Sequence, residues 1–247
     1  MNRLRSGLVL AISVALAAAG VASAGPPFLT DDPEPTDPGQ WEIYAPAFDA
    51  AGKGREFEGS AGAELNYGLA PDTQVTVGLP LSYALGASGF SADRGDLTVS
   101  VKYRFLNDES RALSIAAFPG MSLPTGSTGF SAGRVTALLP IWFQKDAGAW
   151  ALFGGGGYAI HGGRGDRNYW TGGIALSRTY SERLMVGVEA DRQGADTIEG
   201  RAATSLGIGA IMRLAPHLRL LASAGPTRMD GQAPTQFHAF LAVGLDF

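Results

Sequence analysis

The last eleven residues, Phe237 to Phe247, alternate between two kinds of position. Every odd position is apolar, and the even positions carry His238, Phe240, Ala242, Gly244 and Asp246. A period of two is typical of a β-strand whose two faces meet different surroundings. Strands of soluble proteins average about 5–6 residues, whereas a tilted strand across a bilayer needs about 9–11. The segment therefore predicts a membrane-spanning strand that closes a β-barrel, with its odd face in lipid and its even face in the lumen.

Residues 1–24 have the three parts of a secretory signal peptide. Arg3 and Arg5 form the basic region, residues 8–19 form the apolar region, and Ala22-Ser23-Ala24 is a small-residue cleavage site. The chain has no cysteine, which excludes a lipoprotein anchor, disulfides and thiolate metal sites. Without the two arginines the formal charge falls from −4 to −6, so no basic footprint for nucleic acid is expected.

Residues 25–40 are rich in proline and acidic side chains. Five prolines remove backbone donors, which blocks both a helix and a regular strand ladder. We expect an extended periplasmic arm that leads into the first strand. The alternative is a plug or cation-binding segment that folds back into the mouth of the lumen.

Residues 41–247 contain twelve candidate strands, which predict an all-β, monomeric, antiparallel transmembrane barrel with both termini in the periplasm. The clearest strand sets Leu97, Val99 and Val101 against Asp96 and Thr98. The connections alternate between short and long, as periplasmic turns and outer loops do in outer-membrane barrels. Prolines inside strands remove ladder donors, so we expect bulges or interrupted ladders at five positions: Pro46, Pro80, Pro119, Pro140 and Pro226.

Aromatic residues of the outward parity gather at the strand ends, where membrane barrels place their interface rings. The predicted periplasmic ring contains Trp41, Tyr67, Phe105, Phe143, Trp150 and Phe247. The predicted outer ring contains Tyr83, Tyr158, Trp170 and Phe237.

Charged residues of the inward parity are the candidates for a lumen or selectivity site. They are Glu42, Glu64, Lys102, Arg104, Arg183, Glu189, Arg213 and Arg219. Charges inside a barrel must pair or remain hydrated, so they either brace the interior or select solutes by charge. Four of the cations are expected near the periplasmic end, namely Lys102, Arg104, Arg183 and Arg213, which predicts an electropositive end and a preference for anions.

Several motifs occur in the mature part of the chain. Residues 25–28 read GPPF, residues 30–35 read TDDPEP and residues 39–44 read GQWEIY. Together with LPL at 79–81, FPG at 118–120 and LPTG at 123–126, they resemble an outer-membrane transporter family associated with the phenol meta-cleavage degradation pathway. The resemblance implies an outer-membrane β-barrel and a role in uptake.

No convincing catalytic constellation is visible, because His161, His217 and His238 lie in different elements. We therefore expect no enzyme, cofactor or metal. The favoured function is a passive channel or transporter in a Gram-negative outer membrane for small compounds, aromatic or apolar ones included. The alternative is a structural or adhesion barrel whose lumen is filled by side chains. The expected partners are outer-membrane lipid, a small solute and the barrel assembly machinery, whose signal the ending at 243–247 resembles.

Overall fold

The chain forms one antiparallel sheet that closes on itself. The computed structural model describes residues 27–232 and 236–247, so the predicted signal peptide at 1–24 lies outside the described residues. The strands are β1 Trp41–Lys53, β2 Glu56–Ala70, β3 Thr73–Gly86, β4 Gly89–Arg94 continued by Leu97–Asp108, β5 Leu113–Ala117 continued by Gly120–Leu123, β6 Thr136–Ala147, β7 Trp150–Ile160, β8 Tyr169–Ser181, β9 Leu184–Gln193, β10 Ala203–Ala215, β11 Leu218–Met229 and β12 Gln236–Asp246.

The first and last strands join to close the barrel. The amide of Trp41 donates to the carbonyl of Phe247 at 3.0 Å, and the amide of Phe247 donates to the carbonyl of Trp41 at 2.9 Å. The remaining strands pair with their sequence neighbours around the ring. The predicted antiparallel barrel of twelve strands is therefore confirmed. Among the described residues, no helix is both long enough and apolar enough to cross a membrane.

The terminal strand β12 has the two faces that its sequence predicts. Leu241 on the odd face is 47% exposed, whereas Ala242 on the even face is 1% exposed and packs against Tyr44 and Leu221 inside the barrel. The same division holds on β3, where Gln74 and Thr76 are buried and Leu79 is exposed.

Strand β1 departs from its predicted faces after Tyr44. Between Tyr44 and Ala47 it has one residue more than β12 and one more than β2, so a bulge shifts the register on both sides. A one-residue shift moves every later side chain to the opposite face. Ala47, which the sequence places outward, instead packs against the inner cluster around Tyr44, while Phe48 is exposed.

The five strand prolines coincide with local irregularities. Pro46 lies in the bulge of β1, and Pro80 lies opposite the break between the two segments of β4. Pro119 lies in the break of β5, opposite the stretch of β6 that contains Pro140. Pro226 lies where the β10–β11 pairing is interrupted. The predicted disturbances are confirmed, because each proline lies at a bulge or break on at least one side. On the other side the pairing of Pro80, Pro140 and Pro226 remains regular.

The sequence predicts six long outer connections, at residues 50–59, 86–95, 124–133, 161–168, 193–201 and 227–236. The first two are tight hairpins instead. Residues 50–59 and 86–95 are mostly strand, with only two-residue turns at 54–55 and 87–88. The prediction of long loops was wrong here because both segments contain glycine and charged residues, which are typical of loops. The longer outer connections are residues 124–135, 161–168 and 194–202, and residues 230–232 begin another.

Exposed rings lie at both ends of the barrel wall. At the periplasmic end Trp41 and Tyr67 are cross-strand partners with ring centroids 4.7 Å apart. At the outer end the Tyr158 and Trp170 centroids are 5.1 Å apart. Arg178 is an outward charge, and its guanidinium lies 5.2 Å from the Trp150 ring. This cation–π contact explains how an arginine fits on an apolar face.

Candidate functional site

The proline-rich segment crosses the lumen. Residues 28–34, with Phe28, Thr30 and Asp31 among the most buried of the chain, contact inward side chains on strands from opposite walls. Residues 38–39 then leave along the periplasmic rim, where the amide of Gly39 donates to the carbonyl of Gly68 at 2.7 Å. The expectation of a periplasmic arm is thus corrected, and the alternative, a segment that folds back into the lumen, is the one observed. Charges and a ring on the inner wall hold the segment inside. We call residues 27–37 the lumen arm.

Lys102 on β4 holds the middle of the lumen arm. Its Nζ lies 3.1 Å from Asp31 Oδ1 and donates to the carbonyl oxygens of Asp32 at 2.9 Å and Glu34 at 3.4 Å. The lysine is only 4% exposed and Asp31 is fully buried. A buried ammonium needs both an opposite charge and further acceptors, and the lumen arm supplies both. Nζ also lies 4.8 Å from the centre of the Phe118 ring.

Glu189 on β9 binds the backbone of the lumen arm from another wall. Its two carboxylate oxygens accept hydrogen bonds from the amides of Leu29 at 3.1 Å and Thr30 at 3.0 Å. Charge-assisted bonds to backbone amides are stronger than neutral ones. The hydroxyl of Ser223 on β11 donates to the carbonyl of Pro27. Backbone groups that a proline-rich segment leaves unpaired are satisfied by the barrel.

Phe28 lies on a platform made by two glycines. Gly187 and Gly209 are cross-strand partners on β9 and β10, and both face the lumen. A Cβ on either glycine would lie 2.7–2.8 Å from the Phe28 ring. On the other side the ring packs against Phe153, with centroids 5.7 Å apart. The absence of side chains at these positions therefore creates the space for the ring.

We expect Gly187→Val to displace Phe28 and loosen the lumen arm. Overpacking costs about 1–3 kcal/mol, which would raise the open fraction of the barrel roughly 5- to 150-fold. Single-channel open probability in planar bilayers measures this effect. Gly86→Val is the matched control, because a Cβ at Gly86 meets no atom within 4 Å. Equal behaviour of the two variants would contradict the role of the platform.

An acidic cavity of about 530 Å³ lies at the periplasmic side of the lumen arm. Its lining carries seven carboxylate side chains and two cations: Asp31, Asp32, Glu34, Asp37, Glu42, Glu64 and Asp246 against Lys102 and Arg219. Arg219 pairs with Glu42 and, at 2.6 Å, with Asp246. Glu42 also accepts from the Tyr44 hydroxyl at 2.6 Å, and Glu64 accepts from Asn66 at 3.1 Å.

A smaller cavity of about 80 Å³ lies in the outer half of the barrel. Ser100 and Gly120 line it, and the next inward residues toward the periplasm, Lys102 and Phe118, line the acidic cavity. The layer formed by Lys102, Phe118 and the lumen arm therefore separates the two cavities. The outer cavity is lined by His161 and Ser122, two buried side chains whose polar atoms have no hydrogen-bond partner among the described residues.

The structure does not support the predicted electropositive periplasmic end. Lys102 is neutralised by Asp31, and Arg104 pairs with Glu34 and, at 2.7 Å, with Asp72. Arg183 and Arg213 are exposed at the turns, where the amide of Arg213 donates to the carbonyl of Arg183 at 2.9 Å. The end is not electropositive because the lumen arm places acidic groups beside the cations that face inward.

Of the eight candidate lumen residues, the structure brings four to the acidic cavity: Glu42, Glu64, Lys102 and Arg219. Arg104 lies beside the base of the lumen arm, and Glu189 lies deeper on its backbone. The sequence reasoning missed the apolar residues that face inward, notably Phe28, Phe118, Trp142, Phe153 and Leu221. Trp142, Phe153 and Leu221 lie on strands, but an apolar side chain gives no signal of facing a lumen. Phe28 lies in the lumen arm and Phe118 in the break of β5, where no strand parity applies.

Comparisons with solved structures show which fold this is. The COG4313 outer membrane channel from Pseudomonas putida F1 is 14% identical, with a TM-score of 0.63 over 85% of this chain and 96% of the channel. The NanC porin is 8% identical, with a TM-score of 0.56 over 83% and 98%. The translocator domain of the autotransporter NalP from Neisseria meningitidis is 13% identical, with a TM-score of 0.55 over 85% and 88%.

At such identities the likeness shows a shared fold, that of Gram-negative outer-membrane β-barrels. The apolar outer face with rings at both ends is the surface that such a barrel presents to lipid. No curated protein sequence matches the chain. A family model described as "Putative MetA-pathway of phenol degradation" matches residues 59–239, well over half of the chain, and the protein therefore belongs to that family.

Proposed function

We propose that the protein is a passive outer-membrane channel for small solutes, closed in the described state by the lumen arm. The observation that carries the proposal is the separation of two lumen cavities by a segment that only noncovalent contacts hold. Most of those contacts are ion pairs and hydrogen bonds, for which water can substitute. A barrel that served only as a scaffold would not need a cavity on each side of such a layer.

The relatives support the channel class, since the P. putida protein is called an outer membrane channel and NanC a porin. NalP shows that the same fold also serves a translocator domain. The family description names phenol degradation, which supports small aromatic compounds as solutes. The inward rings Phe118 and Phe153 offer such compounds apolar contacts along the path.

The second candidate is a barrel with a permanently filled lumen and no transport. It is favoured by the tight contacts of Phe28 and Leu221 inside the barrel. Liposome swelling and planar-bilayer conductance of the purified protein distinguish the two. The channel proposal expects discrete openings and solute flux, and their absence from both the full-length protein and a protein without the lumen arm would refute it.

We expect the open events to prefer cations, because carboxylates dominate the acidic cavity. Glu64→Gln keeps the shape of the side chain and removes one charge, so the cation preference should fall. The reversal potential in a salt gradient measures this change. Glu199→Gln, in the outer connection at 194–202, is the charge-matched control and should have no effect. A preference for anions in the full-length protein would contradict the assignment.

A further inference from the structure

Three arginines cluster on the outward face at the outer end of β9, β10 and β11. Arg192 on β9 and Arg228 on β11 are each the cross-strand partner of Thr204, on the strand between them. Arg201, in the connection that precedes β10, reaches the same place. Exposed side chains of the same strands, Val188 and Leu206 among them, continue this face toward the middle of the membrane.

A single acidic side chain, Asp230, is held by this cluster. Nη1 of Arg192 donates to Thr204 Oγ1 at 2.7 Å and to Asp230 Oδ1 at 2.8 Å, while Nη1 of Arg201 donates to the backbone carbonyl of Asp230 at 2.9 Å. The hydrogen bond from Arg192 lowers the pKa of Asp230, and the charges of Arg228 and Arg201 lower it further. Three positive guanidinium groups thus lie near one carboxylate, which only Arg192 contacts directly among the described residues, so the cluster can accept more negative charge.

The neighbouring strand β8 shows at which level of the membrane the three arginines lie. Gly172 is the cross-strand partner of Arg192, and Trp170 lies two residues farther toward the outer end. Trp170 is 70% exposed and packs beside Tyr158. Exposed tryptophan and tyrosine mark the level of the headgroups in membrane proteins. The guanidinium groups therefore lie at the height of lipid phosphates, above an apolar wall.

We propose that Arg192, Arg201 and Arg228 bind the phosphate groups of lipid headgroups in the outer leaflet. Guanidinium binds phosphate through paired N–H donors, which gives arginine both strength and geometry for this role. The apolar wall below the cluster suits acyl chains, which a free phosphate ion lacks. Asp230 keeps the arginines oriented and competes with the phosphate for them.

The test uses the purified full-length protein in detergent, with bisphosphorylated lipid A as the probe and native mass spectrometry as the readout. Each guanidinium near a lipid phosphate contributes about fivefold to affinity, so Arg192→Gln combined with Arg228→Gln should weaken binding about 25-fold. Asp230→Asn removes the competing charge and should strengthen binding severalfold. A general loss of folding would weaken lipid A binding in every variant. Weaker binding of the double arginine variant together with stronger binding of Asp230→Asn therefore indicates a direct role in binding.

Arg178→Gln is the matched control, because this arginine also faces outward but lies at the periplasmic end among Trp150 and Tyr180. It should leave lipid A binding unchanged. Dephosphorylated lipid A should bind poorly to every variant. The proposal is overturned if the double variant binds as well as the parent, if Asp230→Asn weakens binding, or if inorganic phosphate at equal concentration displaces the lipid.

Discussion

Removing the lumen arm should turn a mostly closed barrel into an open one. A mature protein that lacks residues 27–37 loses Phe28 and the backbone that Glu189 binds. The space between the two cavities then becomes continuous, and we expect the mean conductance in planar bilayers to rise at least severalfold. The barrel wall itself should persist, since its twelve strands pair with one another without the arm.

The same deletion should change selectivity as well as conductance. The arm carries Asp31, Asp32, Glu34 and Asp37 and no cation, and its loss leaves Lys102 and Arg104 without these partners. The reversal potential in a salt gradient should therefore move toward the anion side relative to the full-length protein. An arm-deleted barrel that stays closed would show that the arm does not fill the pathway. Unchanged selectivity would show that the carboxylates of the arm do not contribute to the charge of the pathway.

Replacing the lysine that holds the arm should have the second largest effect. Lys102→Met leaves Asp31 buried without its ammonium partner. Breaking a buried ion pair from one side costs about 3–5 kcal/mol, which would shift the equilibrium toward the undocked arm by roughly 150- to 5,000-fold. We expect a high open probability in single-channel recordings.

The matched variant combines Lys102→Met with Asp31→Leu. With both charges gone no buried carboxylate loses its partner, because Asp32, which lies 3.7 Å from the same ammonium, is 40% exposed and can be hydrated. An apolar pair of this kind is often as stable as the ion pair it replaces. The double variant should close again. If it were as open as Lys102→Met alone, the ion pair would not be the contact that holds the arm. Arg183→Met, at an exposed turn, serves as a control for loss of a cation near the periplasm.

The strand faces could be read from the sequence because their signal is local. On β12 and β3 apolar and polar side chains alternate with a period of two, and this alternation alone predicts which face meets lipid and which faces the lumen. The faces of β1 could not be read to the end, since one extra residue near Pro46 reverses them. The proline predicts a disturbance at this position, but not whether it is a bulge, which reverses the faces, or an interruption, which does not.

From the sequence, a segment folded back into the lumen was only the alternative, because the contacts that place the lumen arm are not local. The contact between Leu29 and Glu189 joins residues 160 positions apart, and no short-range pattern encodes such a pair. Two weak signals were present in the sequence. Phe28 is an apolar ring in an acidic proline-rich segment, and Gly187 and Gly209 leave a gap on the inward face of adjacent strands. Neither signal specifies the other as its partner.

The anchoring of residues 38–39 beside Gly68 makes closure of this barrel an intramolecular reaction. Asp31 is only seven positions from Pro38, so even a fully extended tether lets the aspartate move no more than about 25 Å from the rim. A short tether corresponds to an effective concentration in the millimolar range. A released arm thus stays next to its own lumen and can return to it, whatever the density of other copies in the membrane.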